Sequence, residues 1–269
     1  MEVIGKYLFW AVVTYIAFVI ALYLSQRNFM YFPDRMKPDI SESGVDGKRE
    51  LSVQTEDQLT LTGWYHEPAE GKPVVIWFHG NGLHHAYRMP RVIPLIENGY
   101  GVLLASYRGY AGNPGKPTEQ GLYKDARAFI KAIQDKGHSV VLYGESLGTG
   151  VAVQMAIENS EIPAVILEAP YTSTVDVGQE RFPIAPVRWL MKDRFESIKK
   201  VPALNRPLLI LHGQKDMIVP YKYGARLFEA ASEPKMMQTY PKAGHLDLYE
   251  FGAASHVLTF LEASFSGMQ

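Results

Sequence analysis

The sequence predicts an α/β fold in which a mostly parallel sheet is covered by helices on both faces. Two observations lead to this fold class. Short runs of apolar, often β-branched residues recur along the chain, and segments with helical spacing of their apolar residues lie between them. Strands that are apolar on both faces are typical of a sheet buried between two layers of helices.

The predicted elements alternate in this way along most of the chain. Strands are expected at 51–55, 59–66, 74–78, 101–106, 140–143, 164–167 and 208–211, with a last strand before the sequence YPKAGHLDLY. Helices are expected at 85–97, 119–135, 147–158, 221–231 and 252–263. Because sites in such folds form at the carboxyl ends of the strands, the polar residues directly after strands are the candidate functional residues.

An apolar segment precedes the α/β pattern. Residues 7–24, YLFWAVVTYIAFVIALYL, contain no charged residue and would span roughly 27 Å as a helix, close to the thickness of a bilayer's hydrocarbon core. Aromatic residues flank both ends. A cleaved signal peptide is the competing interpretation, but the apolar run exceeds the usual core of such peptides and lacks a small-residue cleavage site. We therefore expect a membrane anchor.

The predicted domains follow from this segment. Residues 1–27 form the anchor, the polar and Pro/Gly-punctuated residues 28–50 form a linker, and residues 51–269 form a catalytic domain with a cap insertion at 171–201. Arg27, Arg35 and Lys37 follow the apolar run and favour a cytoplasmic catalytic domain, although Lys6 and the amino terminus lie on the other side. The side of the membrane therefore stays open.

Composition excludes several classes of function. The formal net charge is -1, which provides no field for binding nucleic acid, and the absence of cysteine excludes thiol catalysis, disulfides and thiolate zinc sites. The segment GYAGNPGKPT does not have the spacing of a phosphate-binding loop. His84 and His85 are adjacent, so we expect them to diverge and to lie in solvent or at a pocket rim. No metal or organic cofactor is implied.

The segment VVLYGESLGTGVAV places Ser146 at a corner between a strand and a helix. Such a corner forces unusual backbone angles on its central residue, and Gly144 and Gly148 remove bulk where the chain folds back. The hydroxyl is then exposed beside the first N–H groups of a helix, which suits a developing negative charge. The pattern predicts that Ser146 is a nucleophile.

Three further segments complete a predicted site. In HGNG, the backbone N–H of Asn81 would form an oxyanion hole with that of Leu147. Asp216 follows a strand in LILHGQKDMIVP, and His245 follows the last strand in AGHLDL. His245 would act as general base and acid, with Asp216 fixing its tautomer. Glu168, at the end of its own strand, is an alternative acid.

These motifs resemble those of the alpha/beta hydrolases, with GESLGTG, HGNG, HGQKDMIVP and AGHLDL spread over nearly the whole chain. FMYFPDR and SYRGYAGNPGKPTEQGLYKDA resemble more closely the N-terminally anchored, bud-emergence-related serine hydrolases. This resemblance implies the alpha/beta hydrolase fold. It also implies an activity like those of the subgroup's members, which include depalmitoylating thioesterases and lysolipid or acylglycerol lipases.

The predicted function is hydrolysis of carboxylic esters or thioesters with an apolar acyl group through an acyl-Ser146 intermediate. Within the insertion, Val187, Leu190, Met191, Phe195 and Ile198 have helical spacing after Pro186, which predicts a cap helix whose face packs on the core or lines an acyl pocket. The predicted substrate-binding residues are Gly82, Tyr171, Trp189 and Met217. A peptidase or amidase, and a non-catalytic membrane-anchored adaptor, are the alternatives.

Overall fold

The computed structural model describes residues 2–265. Residue 1, where the predicted anchor begins, and residues 266–269, where the predicted catalytic domain ends, lie outside the described residues. In chain order the strands are β1 Phe32–Pro33, β2 Lys48–Gln54, β3 Thr60–His66, β4 Val74–Phe78, β5 Gly82–Leu83, β6 Gly101–Ala105, β7 Val140–Glu145, β8 Val165–Glu168, β9 Leu208–Gly213 and β10 Lys235–Tyr240. The α-helices are α1 Glu2–Met30, α2 Met89–Glu97, α3 Glu119–Gln134, α4 Leu147–Glu158, α5 Thr174–Arg181, α6 Val187–Leu190, α7 Ser197–Lys200, α8 Tyr221–Ala230 and α9 Ala253–Phe265.

Within the described part of the chain, eight strands form one sheet in the order β10-β9-β8-β7-β4-β6-β3-β2. Neighbours from β10 to β6 pair in parallel, and β3 and β2 continue the sheet antiparallel. Every residue of β4, β6, β7, β8 and β9 is buried. This burial explains the uninterrupted apolar runs in the sequence, and the predicted mostly parallel sheet is confirmed.

Helices cover both faces of the sheet, as the sequence predicts. Alternate residues of β4 point to opposite faces, since Ile76 belongs to an apolar cluster with residues of α3, α4 and α8, whereas Trp77 belongs to one with residues of α2 and α9. The two apolar clusters are therefore separate layers on the two sides of the sheet. This arrangement fixes the carboxyl ends of β4, β7, β8, β9 and β10 at one edge.

The apolar segment forms one long helix, α1, which is long and apolar enough to cross a membrane. The helix extends to Met30, beyond the predicted anchor end at residue 27. It stops there because Pro33 disfavours helical angles at Phe32, and the chain instead forms β1. The predicted linker 28–50 thus begins inside α1 and ends inside β2.

In the insertion at 171–201, the cap helix predicted over residues 187–198 does not form as one continuous helix. The insertion contains α5, α6 and α7, and the expected helix from Val187 is interrupted after Leu190. The backbone of Phe195 has a φ of +38°, and the buried Phe195 ring packs near Gly150 and 5.7 Å from the ring of Tyr123. A positive φ at this position is incompatible with a right-handed helix that continues through residue 195.

Candidate active site

Ser146 lies on a sharp turn between β7 and α4, with φ +50° and ψ −114°. A Cβ atom on Gly144 would lie 2.6 Å from the carbonyl oxygen of Gly148, and one on Gly148 would overlap the backbone of Phe78. Only glycine therefore fits on either side of the turn, as the sequence predicts. The strained backbone directs the Ser146 hydroxyl away from the sheet edge into a cavity.

The loops after β9 and β10 bring Asp216 and His245 to this hydroxyl. His245 Nε2 lies 3.0 Å from Ser146 Oγ, and His245 Nδ1 lies 2.6 Å from Asp216 Oδ2. The other Asp216 oxygen, Oδ1, accepts hydrogen bonds from the backbone N–H groups of Ile218 and Val219, both at 2.8 Å. The three side chains thus form one continuous hydrogen-bonded chain.

The Asp216 carboxylate is buried at 4 % exposure. Burial acts to raise its pKa, but the imidazoles of His212 and His245, together with the Val219 N–H, outweigh burial and hold the pKa below the ordinary value. His212 Nε2 lies 3.5 Å from Asp216 Oδ2 and 2.9 Å from the Val219 carbonyl oxygen. Asp216 is therefore ionised at neutral pH and can hold a proton on His245 Nδ1.

Asn81 and Leu147 line the same cavity as Ser146. Leu147 is the first residue of α4, where a backbone N–H has no partner within the helix. The Asn81 side chain donates to the Met30 carbonyl oxygen at 2.8 Å, and the Asn81 carbonyl oxygen accepts from Phe32 N–H at 2.9 Å. The segment that follows α1 therefore holds the predicted oxyanion residue in place.

The loop that carries Asn81 begins with a buried histidine. His79 is fully buried, its Nδ1 donates to the Gly80 carbonyl oxygen at 2.7 Å, and its ring packs against Tyr107 and Tyr110. Burial lowers the pKa of His79 to about 3. His84 and His85 are also buried, at 5 % and 3 % exposure, which corrects the expectation that they lie in solvent or at a pocket rim. The His85 ring packs edge-on against Trp64 with 5.0 Å between ring centroids, and the His84 ring lies 4.5 Å from that of Tyr87.

We expect stability to fall on acidification because of His79. Its pKa is depressed in the folded state, so the unfolded chain binds more protons between about pH 6.5 and pH 3, and stability is lost as the pH falls through that window. From about pH 6.5 to about pH 5 the loss is roughly 1.5 kcal/mol. Urea unfolding of wild type and His79→Gln at both pH values tests this.

The free energy of unfolding of His79→Gln should depend less steeply on pH than that of the wild type. Some dependence should stay, because the pKa values of His84 and His85 are lowered as well. His138→Gln is the matched control, since this imidazole is partly exposed and paired with Glu67. Equal slopes for wild type and His79→Gln would contradict the prediction.

Buried charges support the turn at Ser146. Glu145, directly before the serine, accepts from Arg88 at 2.5 and 3.0 Å, and these charges hold its pKa at about 2 despite burial. Arg91 lies 3.1 Å from both Glu145 and Glu168 and also donates to the Leu246 carbonyl oxygen. Arg91 therefore connects the ends of β7 and β8 to the loop that carries His245.

Replacing Arg91 by methionine is expected to destabilise the fold by about 3–5 kcal/mol at neutral pH, because it removes a buried cation from Glu168. Burial already raises the pKa of Glu168. The destabilisation caused by Arg91→Met should therefore grow as the pH rises above the ordinary pKa of a carboxyl group and shrink below it. Chemical unfolding at two pH values measures both effects. Arg127→Met removes a partly exposed ion pair with Glu158 and should cost no more than about 1 kcal/mol. Equal losses for the two variants would refute this role of Arg91.

The cavity beside Ser146 has a volume of about 420 Å³ and a mostly apolar lining. Of the predicted substrate-binding residues, Tyr171 lines it, and the Tyr171 hydroxyl donates to the Leu147 carbonyl oxygen at 3.1 Å. Gly82 lies in β5, and Trp189 and Met217 are exposed at 86 % and 84 %; none of these three lines the cavity. Glu168, the alternative acid, bonds to Tyr143 and Arg91, whereas Asp216 contacts His245.

Sequence reasoning missed Arg91 and the contribution of α1 to the cavity. Arg91 lies on an ordinary amphipathic helix, where no local signal separates it from a solvent-exposed arginine. The α1 residues belong to an apolar run that predicts only membrane insertion. Glu145 could have been noticed, because a carboxylate directly before a buried serine needs a cationic partner.

The chain is similar to one protein family, to curated relatives and to solved structures. The family described as "Serine aminopeptidase, S33" matches residues 69–199. Protein Rv2307c of Mycobacterium tuberculosis is 35% identical over 235 residues, which cover 85% of this chain and 83% of that protein. Protein bem46 of Schizosaccharomyces pombe is 30% identical over 251 residues, covering 84% and 82%. The structure of the esterase Pf2001 of Pyrococcus furiosus has a TM-score of 0.70 at 21% identity, covering 87% of this chain and 98% of that one.

Proposed function

Because the chain belongs to the alpha/beta hydrolases, in the group that includes fission yeast bem46, we propose that it is a serine hydrolase of carboxylic esters or thioesters with an apolar acyl group. The observation that carries the proposal is the hydrogen-bonded chain from Asp216 through His245 to Ser146 at the wall of an apolar cavity. A serine hydroxyl needs such a base, since it is a poor nucleophile at neutral pH.

The proposed reaction has two steps. His245 Nε2 takes the proton of Ser146 Oγ as the oxygen attacks the acyl carbon, and the N–H groups of Asn81 and Leu147 stabilise the oxyanion. The bond to the leaving group then breaks, and His245 returns the proton to the departing alcohol or thiol. Water, activated by His245, hydrolyses the acyl-Ser146 ester and releases the carboxylic acid.

A peptidase is the second candidate, because the matching family is described as a serine aminopeptidase. An aminopeptidase has to bind the charged amino terminus of its substrate, for which a carboxylate is the natural partner. Among the described residues that line the cavity, Arg181 is charged and no carboxylate is present. This lining favours an uncharged acyl group over a peptide amino terminus.

A fluorophosphonate probe tests the nucleophile and a substrate panel tests the class. We expect labelling of the purified full-length protein that is lost in Ser146→Ala, turnover of p-nitrophenyl esters, and much slower cleavage of amino-acid p-nitroanilides. Faster cleavage of the anilides would favour the peptidase. A protein that neither labels nor turns over would instead be a non-catalytic adaptor.

We also propose that residues 7–24 cross a membrane, so that α1 anchors the catalytic domain. Their length and lack of charge support this, as do the aromatic residues at both ends. Retention of the protein in carbonate-washed membranes, and its release by deletion of residues 1–30, would be the expected results.

A further inference from the structure

The C-terminal half of α1 forms one wall of the cavity that contains Ser146. We propose that this half of the helix is part of the substrate-binding site, and that the substrate's acyl chain lies between α1 and the cap. The proposal rests on the proposed hydrolase function and names how its substrate binds. The residues of α1 that line the cavity are Val19, Leu22, Tyr23, Gln26, Phe29 and Met30.

Polar contacts fix the helix against the cap. Arg27 pairs with the buried Asp193 at 2.7 and 3.2 Å, and Gln26 bonds to the Leu190 carbonyl oxygen and to Lys192 N–H. Farther along the helix, the Tyr15 hydroxyl donates to the carbonyl oxygen of Ile184 at 2.8 Å. Polar groups of a membrane helix are costly to leave without partners, so these contacts hold α1 in one position on the catalytic domain.

The cavity runs along the helix away from the nucleophile. At one end, the carbonyl oxygen of Met30 accepts from Asn81, which lines the cavity together with Ser146. At the other end lies Val19, roughly 16 Å away along the helix axis. Residues 19–24 also belong to the predicted membrane span. An acyl chain with its carbonyl at Ser146 would therefore extend toward the hydrocarbon layer.

The surface beside this end of the cavity is apolar and open. Ile184 is 68 % exposed and Trp189 is 86 % exposed, and both lie on the cap where it meets α1. Exposed tryptophan beside a membrane helix is typical of the interface between water and lipid. The far end of the proposed acyl site therefore lies beside exposed apolar side chains that suit contact with lipid.

The test compares two leucines on opposite sides of the helix. Leu22 lines the cavity, whereas Leu24 is 73 % exposed and does not. In full-length protein in one detergent, Leu22→Trp should lower kcat/KM for p-nitrophenyl palmitate at least about tenfold more than it lowers kcat/KM for p-nitrophenyl acetate. Leu24→Trp should leave both unchanged. Equal losses on both esters, or equal effects of the two variants, would overturn the proposal.

A second measurement does not depend on turnover. Since the chain has no cysteine, Leu22→Cys and Leu24→Cys each introduce one thiol. After Ser146 has reacted with a hexadecyl fluorophosphonate, modification by methyl methanethiosulfonate should be slowed in Leu22→Cys and unchanged in Leu24→Cys. If reaction with the probe changed the modification rate equally in the two variants, the proposed acyl-binding wall would be refuted. A wild-type protein that does not react with the short ethyl fluorophosphonate would refute the proposed function instead.

Discussion

Replacing Ser146 by alanine is expected to lower kcat for ester hydrolysis by about a millionfold, to the rate that binding and the oxyanion hole support alone. The reason is the 3.0 Å contact between Ser146 Oγ and His245 Nε2, which makes nucleophile and base one unit. His245→Ala should therefore cause a similar loss. The double variant should lose no more than either single variant, because removing one member already disables the other.

Steady-state kinetics with a short p-nitrophenyl ester measure these losses, and thermal unfolding verifies that each variant is folded. Ser255→Ala is the matched control, since the Ser255 hydroxyl donates to the Gly252 carbonyl oxygen at the exposed start of α9, away from the site. Losses that multiply in the double variant would mean that Ser146 and His245 act independently, contrary to the proposed mechanism.

Replacing Asp216 by asparagine is expected to lower kcat by about ten-thousandfold with little change in the fold. The N–H groups of Ile218 and Val219 donate to Asp216 Oδ1, so the carbonyl oxygen of an asparagine would stay there and its NH₂ group would face His245. Nδ1 of His245 would then have to accept a hydrogen bond. The imidazole proton would move to Nε2, which could no longer take the proton of Ser146.

Kinetics of Asp216→Asn over a range of pH check this, with the exposed Asp135→Asn as control. Retention of more than about a tenth of the wild-type kcat would show that the tautomer of His245 does not depend on Asp216. The alternative acid, Glu168, can be compared in the same way. We expect Glu168→Gln to change stability more than kcat, since its carboxylate bonds to Tyr143 and Arg91.

The sheet and the position of Ser146 could be predicted because their signals are local. A buried parallel strand has to be apolar on both faces, and the turn at Ser146 has to have glycine at positions 144 and 148. The cap could not be predicted in the same way. Its helical pattern continues through Phe195, but packing of that ring on α4 is a long-range contact that local spacing does not encode.

The residues that line the cavity could not be predicted either, because long-range contacts bring them together. Trp189 and Met217 were plausible because they are apolar neighbours of predicted site segments, yet both side chains point to the outside. The lining instead comes from the cap and from α1, and α1 is more than a hundred residues away from Ser146 in sequence. Long-range contacts such as the ion pair between Arg27 and Asp193 place α1 there, and neither of these residues has a distinctive sequence context.

The pairing of β1 with β5 has a mechanical consequence. Phe32 and Pro33 follow α1 after one residue and pair with Gly82 and Leu83, so no flexible linker separates the proposed membrane anchor from the loop of Asn81. If α1 is anchored as proposed, a catalytic domain held in this way cannot reorient freely above a bilayer. Its nucleophile would stay at one height and one tilt relative to the lipid surface, and encounters with substrate would become a two-dimensional search by lateral diffusion.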